Sequence, residues 1–205
     1  GCLSFCFDDL SRMSEGDVLK LFRNDYVYQE MIIQHPEMAE LHPFSVNTLR
    51  IDTYRAKKGE VSVMSAYMRI GGGKRCIDNI TGGGCVVGVD METGTLMGRG
   101  LITPENGPAV LAEHPDTGVI FGGRKIPFFY EALSVAKRAA TKISLSVVGW
   151  DVAIGPNGPI LIEGNAPYEF RVSEMASRGY WKNPVFRNLI REHAPQLESI
   201  AKKFD

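Results

Sequence analysis

The run Gly149-Trp150-Asp151-Val152-Ala153-Ile154-Gly155-Pro156-Asn157-Gly158-Pro159-Ile160-Leu161-Ile162-Glu163-Gly164-Asn165 constrains the fold more than any other stretch. It predicts two strands and a tight turn. Residues 145–154 are rich in Val and Ile, and residues 159–163 are short and apolar. Between them, Gly155-Pro156-Asn157-Gly158 supplies turn chemistry, because Pro presets φ while Asn and Gly tolerate the bend. Pairing Ile154 with Ile160 puts Asp151 directly opposite Glu163. Asn165, two residues on, points from the same face.

Like charges directly opposite each other on a sheet are destabilising. Two carboxylates about 4 Å apart repel by roughly 4 kcal/mol at an effective dielectric near 20. A fold keeps such a pair with a compensating cation or a shared proton. Two carboxylates and an amide carbonyl are hard oxygen ligands, suited to a Mg²⁺ also held by substrate phosphates. The plainer alternative is a solvated acidic face with Asn165 starting a loop. The small residues of Gly164-Asn165-Ala166-Pro167 favour a functional edge.

Composition excludes several classes. With 205 residues, 44 % hydrophobic and 23 % charged, the chain has the composition of a soluble protein with a substantial core. A net charge of −1 gives no basic field for nucleic acid or anionic lipid. No apolar run approaches the roughly 20 residues of a membrane span. The opening Gly-Cys-Leu-Ser-Phe-Cys-Phe runs into Asp8-Asp9 without a basic lead, unlike a signal peptide. Cys2, Cys6, Cys76 and Cys85 have no paired spacing and read as free thiols. The expected compartment is the cytoplasm.

Ser14 and Asp17 predict the capped start of a short helix. Residues 26–33 read as a strand from their aromatic and β-branched content, followed by a loop with Pro36 and Pro43. Two long strands are expected over 46–56 and 60–70, and a hairpin over 85–91 and 95–102. Residues 104–124 read as loop with one short hairpin. Residues 127–143 form the clearest helix, with Leu133, Ala136 and Ala140 on a small-residue face. Residues 168–180 are a further helical candidate. Asn183-Pro184 starts another helix, and residues 196–204 extend the end. The order is α+β.

A second constellation lies at one end of the long strands. Arg50 and Arg69 stand near Gly71-Gly72-Gly73, Lys74, Asp78-Asn79 and Gly82-Gly83-Gly84. Guanidinium forks and open glycine amides suit phosphate or carboxylate. On this reading Arg50→Ala weakens binding of such an anion with little loss of thermal stability.

Asp151 with Glu163-Gly164-Asn165-Ala166-Pro167 resembles the metal-binding end of the ATP-grasp ligases. His42-Pro43, Ser45-Val46-Asn47-Thr48-Leu49-Arg50, Asp78-Asn79, His114-Pro115-Asp116-Thr117-Gly118 and Gly149-Trp150-Asp151 are closer still to the sugar-transfer-associated ATP-grasp family. The similarity runs from about Tyr26 to about Pro167.

The resemblance implies an ATP-grasp C-terminal lobe, an antiparallel β-sheet flanked by helices, over residues 26–205. Residues 1–25 are then a remnant of the small lobe with a lead-in helix, lacking the usual glycine-rich loop and phosphate-contacting Lys. It implies an ATP- and Mg²⁺-dependent carboxylate–amine ligase linked to polysaccharide or cell-envelope biosynthesis. Gln29, Glu30, Met31 and Ile32 would meet the adenine edge, and Glu37 the ribose. Asp151, Glu163 and Asn165 would hold Mg²⁺. Arg50, Arg69 and Asn79 would face phosphates or an acyl phosphate, with His114 and Asp116 near the acceptor. Expected partners are a small-molecule carboxylate and an amine or sugar-linked acceptor, with a homodimer left open. The alternatives are a nucleotide-binding module without catalysis and a kinase-like phosphotransferase.

Overall fold

The computed structural model describes residues 13–17, 19, 30–74, 78, 80–103, 110–166, 168 and 170–201. The chain divides into two compact units, residues 1–32 and residues 33–205. In the first, the Ser14 hydroxyl oxygen accepts the Asp17 N–H at 3.2 Å and its O–H donates to Asp17 Oδ2 at 2.7 Å. That is the expected cap. The strand expected over 26–33 is not formed in residues 30–33, and residues 26–29 lie outside the described residues. β-Branched content favours a strand only beside a pleated neighbour, and among the described residues no strand pairs with these.

The second unit is built on a seven-stranded antiparallel sheet. Helix α1 (Pro36–Leu41) replaces the loop expected there, because the His35 side chain accepts the Glu37 N–H and Pro36 suits the first turn. The strands are β1 (Thr48–Arg55), β2 (Val61–Ile70), β3 (Cys85–Val89), β4 (Leu96–Leu101) and β5 (Val110–Leu111), then β6 (Val147–Gly155) and β7 (Gly158–Asn165). Helix α2 (Phe129–Ala140) lies between β5 and β6; α3 (Phe170–Ala176), α4 (Pro184–His193) and α5 (Glu198–Ala201) follow β7. Spatial order is β5-β4-β3-β2-β1-β6-β7, so the chain crosses from one edge to pair β6 with β1.

Alternation along β1 sorts the sheet into two faces. Leu49 and Ile51 point to the main core with Ala66, Met68, Trp150 and Val152. Helix α2 covers that face with Phe129, Ala132, Ala136 and Ala140. The alanines recur every fourth residue, so the helix lies close to the sheet. Leu133, expected in that stripe, is only half-buried. Each fully buried Leu or Ile here contributes roughly 1.5–3 kcal/mol.

Thr48, Arg50 and Asp52 point to the opposite face. In register they stand beside Arg69, Tyr67 and Ser65 of β2, and beside Ala153, Asp151 and Gly149 of β6. Helix α3 covers part of this face. A Cβ at Gly88 of β3 would collide with the Ala176 carbonyl oxygen, so glycine sets the close approach. Asn183 caps α4 by accepting the N–H groups of Val185 (2.9 Å) and Phe186 (3.2 Å). Its Nδ2 donates to the Met64 carbonyl at 2.6 Å. Met64 is the extra residue of a bulge in β2, opposite Asp52 and Thr53.

Candidate functional site

The hairpin places the expected acids together by a different register. Ile154 pairs with Pro159, and Ile160 with Ala153, one residue away from the expected alignment. A shift between Val152 and Asp151 leaves Ile162 as an extra residue on β7, and Asp151 then faces Glu163. Asn165 stands opposite Gly149, which has no side chain to crowd it. Its Nδ2 donates to Glu163 Oε1 at 3.1 Å and lies 3.4 Å from Asp151 Oδ2.

The compensating cation for this pair is the protein's own. Arg50, directly beside Asp151, grips its carboxylate through Nε and through Nη2 at 3.0 Å. Arg69 reaches the same carboxylate from β2, Nη1 to Oδ2 at 2.7 Å. Its Nη2 lies 3.1 Å from Asp78 Oδ1. Asp78 Oδ2 accepts the Thr48 N–H at 3.2 Å and the Thr48 hydroxyl. The result is an alternating row of charge, Arg50–Asp151–Arg69–Asp78, with the exposed Glu163 opposite Asp151 on β7.

Burial, the largest single influence, works against the Arg50 charge, but the hydrogen bond to Asp151 and the nearby charges of Tyr67, Asp151 and Asp52 together outweigh it and raise the pKa. Burial raises that of Asp78, and Arg69 opposes the shift. The Tyr168 ring lies 5.8 Å from the Arg50 guanidinium carbon.

The donor set fits magnesium in part. Asp151 and Glu163 offer hard oxygens on one face, and the Asn165 amide is the third donor group. Two guanidinium groups against three carboxylates leave one negative charge in excess. Among the described residues no cluster of three or more His, Cys, Asp or Glu side chains is placed to hold a metal. An ion here therefore needs phosphate oxygens to complete its shell, as Mg²⁺ usually does.

The glycine turn after Arg69 differs from the open nest expected of it. The Gly71 N–H donates to Asn47 Oδ1 at 3.2 Å and the Gly73 N–H to Asp116 Oδ2 at 2.7 Å, so neither amide faces a ligand. His114, expected near an acceptor, is buried; its Nε2 donates to the Gly71 carbonyl at 2.8 Å. Glu37 is exposed on the first turn of α1. Glu30, Met31 and Ile32 belong to the first unit. Gln29 and Asn79 lie outside the described residues.

Sequence reasoning missed one group on this face. Asp52 is fully buried, its Oδ2 accepting from Ser65 Oγ at 2.7 Å and Tyr180 OH at 2.9 Å. Asp52 Oδ1, Tyr168 OH and Ser173 Oγ have no hydrogen-bond partner. Burial raises the Asp52 pKa, against the lowering effect of nearby hydroxyls. The signal was the alternation Thr48-Leu49-Arg50-Ile51-Asp52, which puts all three polar residues on one face.

A seven-stranded antiparallel sheet flanked by helices is consistent with an α+β ATP-grasp-like fold, and this one carries Asp151 on β6 and Glu163 and Asn165 on β7. The profile of the sugar-transfer associated ATP-grasp family matches residues 18–183, and the chain belongs to that family. No curated protein and no solved structure gives a significant match. Membership points to an ATP-dependent, ligase-type activity linked to sugar transfer, with ATP and Mg²⁺ as the superfamily's general cofactors. Among the described residues no helix is long and apolar enough to cross a membrane.

Proposed function

We propose that this chain carries the phosphate- and metal-binding side of a ligase that joins a small carboxylate to an amine or sugar-linked hydroxyl, in polysaccharide or cell-envelope biosynthesis. The supporting observation is the Asp151–Glu163 register pair with Asn165, on the face that also carries Arg50 and Arg69. Arg50 and Arg69 present fork-shaped donors that match phosphate oxygens. Asp151 keeps both guanidinium groups oriented before a nucleotide arrives, which lowers the ordering cost of binding.

In the reaction proposed, an oxygen of the substrate carboxylate attacks the γ-phosphorus and ADP leaves, giving an acyl phosphate. The acceptor nitrogen or oxygen then attacks the acyl carbon. Phosphate leaves, and the acceptor proton passes to solvent. Magnesium held through Asp151, Glu163 and Asn165 would neutralise phosphate charge in the first step. The side chains contribute positioning and charge complementarity, with no covalent protein nucleophile required.

One observation favours the module without catalysis: both Arg50 and Arg69 occupy the Asp151 carboxylate, leaving it few lone pairs for a metal. Calorimetric titration with a non-hydrolysable ATP analogue, with and without Mg²⁺, is the test. The proposal expects binding that requires Mg²⁺ and is lost in Asp151→Asn. Binding indifferent to Mg²⁺ would remove the metal assignment. Phosphate release dependent on both carboxylate and acceptor marks a ligase; ADP without phosphate release marks a kinase.

A further inference from the structure

We propose that Asp78, anchored by Thr48, is a positioning residue for Arg69: it keeps the Arg69 guanidinium in the site when Asp151 gives up that contact to a metal or phosphate. The half of this inference that concerns ligand rests on the function proposed above.

The two arginines hold Asp151 in different ways. Arg50 spends both Nε and Nη2 on that one carboxylate. Arg69 divides its fork, Nη1 to Asp151 Oδ2 at 2.7 Å and Nη2 to Asp78 Oδ1 at 3.1 Å. Asp151 Oδ2 is the crowded atom, facing Arg50 Nη2, Arg69 Nη1 and, at 3.4 Å, Asn165 Nδ2. A carboxylate oxygen has about two lone pairs, so a cation reaches this one only after a donor leaves. Arg50 is bidentate and stands directly beside Asp151 in register, whereas Arg69 reaches across from β2 with a single hydrogen bond. Arg69 is therefore the donor that can leave and still keep a carboxylate.

Asp78 is fixed independently of Arg69. Its Oδ2 accepts the Thr48 N–H at 3.2 Å and the Thr48 hydroxyl, which leaves Oδ1 for the guanidinium. Thr48 pairs with Arg69 across β1 and β2, so anchor and arginine stand side by side on one ladder. Both Thr48 and Asp78 are buried, and the Arg69 side chain is only 18 % exposed. A guanidinium left there without any carboxylate would be an uncompensated, largely buried charge, which is costly. With Asp78 in place, breaking the Asp151 contact leaves Arg69 paired and still pointing into the site.

The test first reads Arg69 without ligand, in a background where the Asp151 charge is gone. The Arg69 guanidinium N–H resonances, assigned by their loss in Arg69→Lys, are followed by NMR. In Asp151→Asn they are expected to exchange with water nearly as slowly as in the wild type, because Asp78 still holds Nη2. Adding Asp78→Asn is expected to speed exchange about tenfold, the scale of one hydrogen bond to a charged group. Fast exchange already in Asp151→Asn, or no further increase in the double variant, overturns the inference. If the double variant does not fold, Thr48 decides in an otherwise native chain. Thr48→Val keeps the shape without the hydroxyl and is expected to speed Arg69 exchange, while Thr48→Ser keeps it near wild type. Equal exchange in those two overturns the inference.

Calorimetry with the Mg²⁺-bound ATP analogue reads the ligand half. Asp78→Asn is expected to weaken binding about tenfold, again one such hydrogen bond, and to add nothing in an Arg69→Lys background. Unchanged binding, or losses that multiply, would overturn the action through Arg69. A wild-type chain that binds no nucleotide removes the proposed function and the ligand half with it, while the resonances still decide whether Asp78 holds Arg69.

Discussion

Asp151 and Glu163 face each other across β6 and β7, and one extra residue, Ile162, brings them into register. Without that bulge the alignment at Val152 and Leu161 would set Asp151 against Ile162. Bulges redirect side chains at sheet edges, and β7 is an edge strand. The pair is asymmetric. Asp151 is buried and held by two guanidinium groups, whereas Glu163 is exposed and bonded to Asn165.

Glu163→Gln separates metal binding from folding. The substitution keeps the shape and removes a like charge opposite Asp151, an effect of roughly 0.2–1 kcal/mol on a sheet. The melting temperature should therefore hold or rise slightly. Calorimetry should show the Mg²⁺-dependent part of nucleotide affinity falling at least tenfold. Unchanged affinity would mean that Glu163 does not hold the ion.

Arg50→Ala should behave differently from what its place in the sequence suggests. An arginine facing only a ligand could be lost with little effect on stability. Here Arg50 is mostly buried, and removing it leaves Asp151 with one guanidinium partner, Arg69, and the longer contact from Asn165. Breaking a buried pair from one side costs about 3–5 kcal/mol. The partial exposure of Arg50 and the surviving Arg69 contact place the expected loss near the lower value, about 3 kcal/mol by urea unfolding. A loss below about 1 kcal/mol would show that Arg50 is held for a ligand alone.

The contrast shows what was legible in the sequence. The Val- and Ile-rich strands, the Gly155–Gly158 turn and the Asn183 cap followed from local chemistry, and each is present. The Asp151–Glu163 pairing was legible only because an assumed register and an unseen bulge led to the same result. The Arg50–Asp151 contact joins residues 101 positions apart, and no local pattern places β6 beside β1. The strand expected over 26–33 failed over residues 30–33 because its signal was composition without a partner. His114 was read as a ligand contact from its motif, but burial in a folded hairpin turns it toward the backbone.

The pH dependence of stability should report on His114. Burial, the largest influence, lowers its pKa below the ordinary 6.5. The unfolded chain then binds the proton more tightly than the folded one. The contribution of the neutral ring is complete above pH 6.5 and is lost as pH falls from there through the folded value. Relative to His114→Gln, the wild type should lose melting temperature between pH 7.5 and 5. Parallel curves for the two proteins would show that the ring does not titrate in that window.

Asp52 should show the opposite sign. Burial raises its pKa above the ordinary 3.8, so the folded state binds the proton more tightly than the unfolded chain. Its contribution is greatest at low pH and declines as pH rises from about 3.8 through the folded value. Asn at this position keeps an oxygen for Ser65 and Tyr180 and replaces the partnerless Oδ1 with a donor. That donor stands near the Tyr168 and Ser173 hydroxyls, whose oxygens can accept from it. Relieving an unpaired buried group gains about 1–2 kcal/mol. Asp52→Asn should accordingly be more stable than wild type by about that much at pH 8 in urea unfolding. The difference should shrink toward zero at pH 4, where a protonated carboxyl does the same work. An Asn variant less stable than wild type at pH 8 would mean that Asp52 is ionised in the folded protein and stabilised in that form.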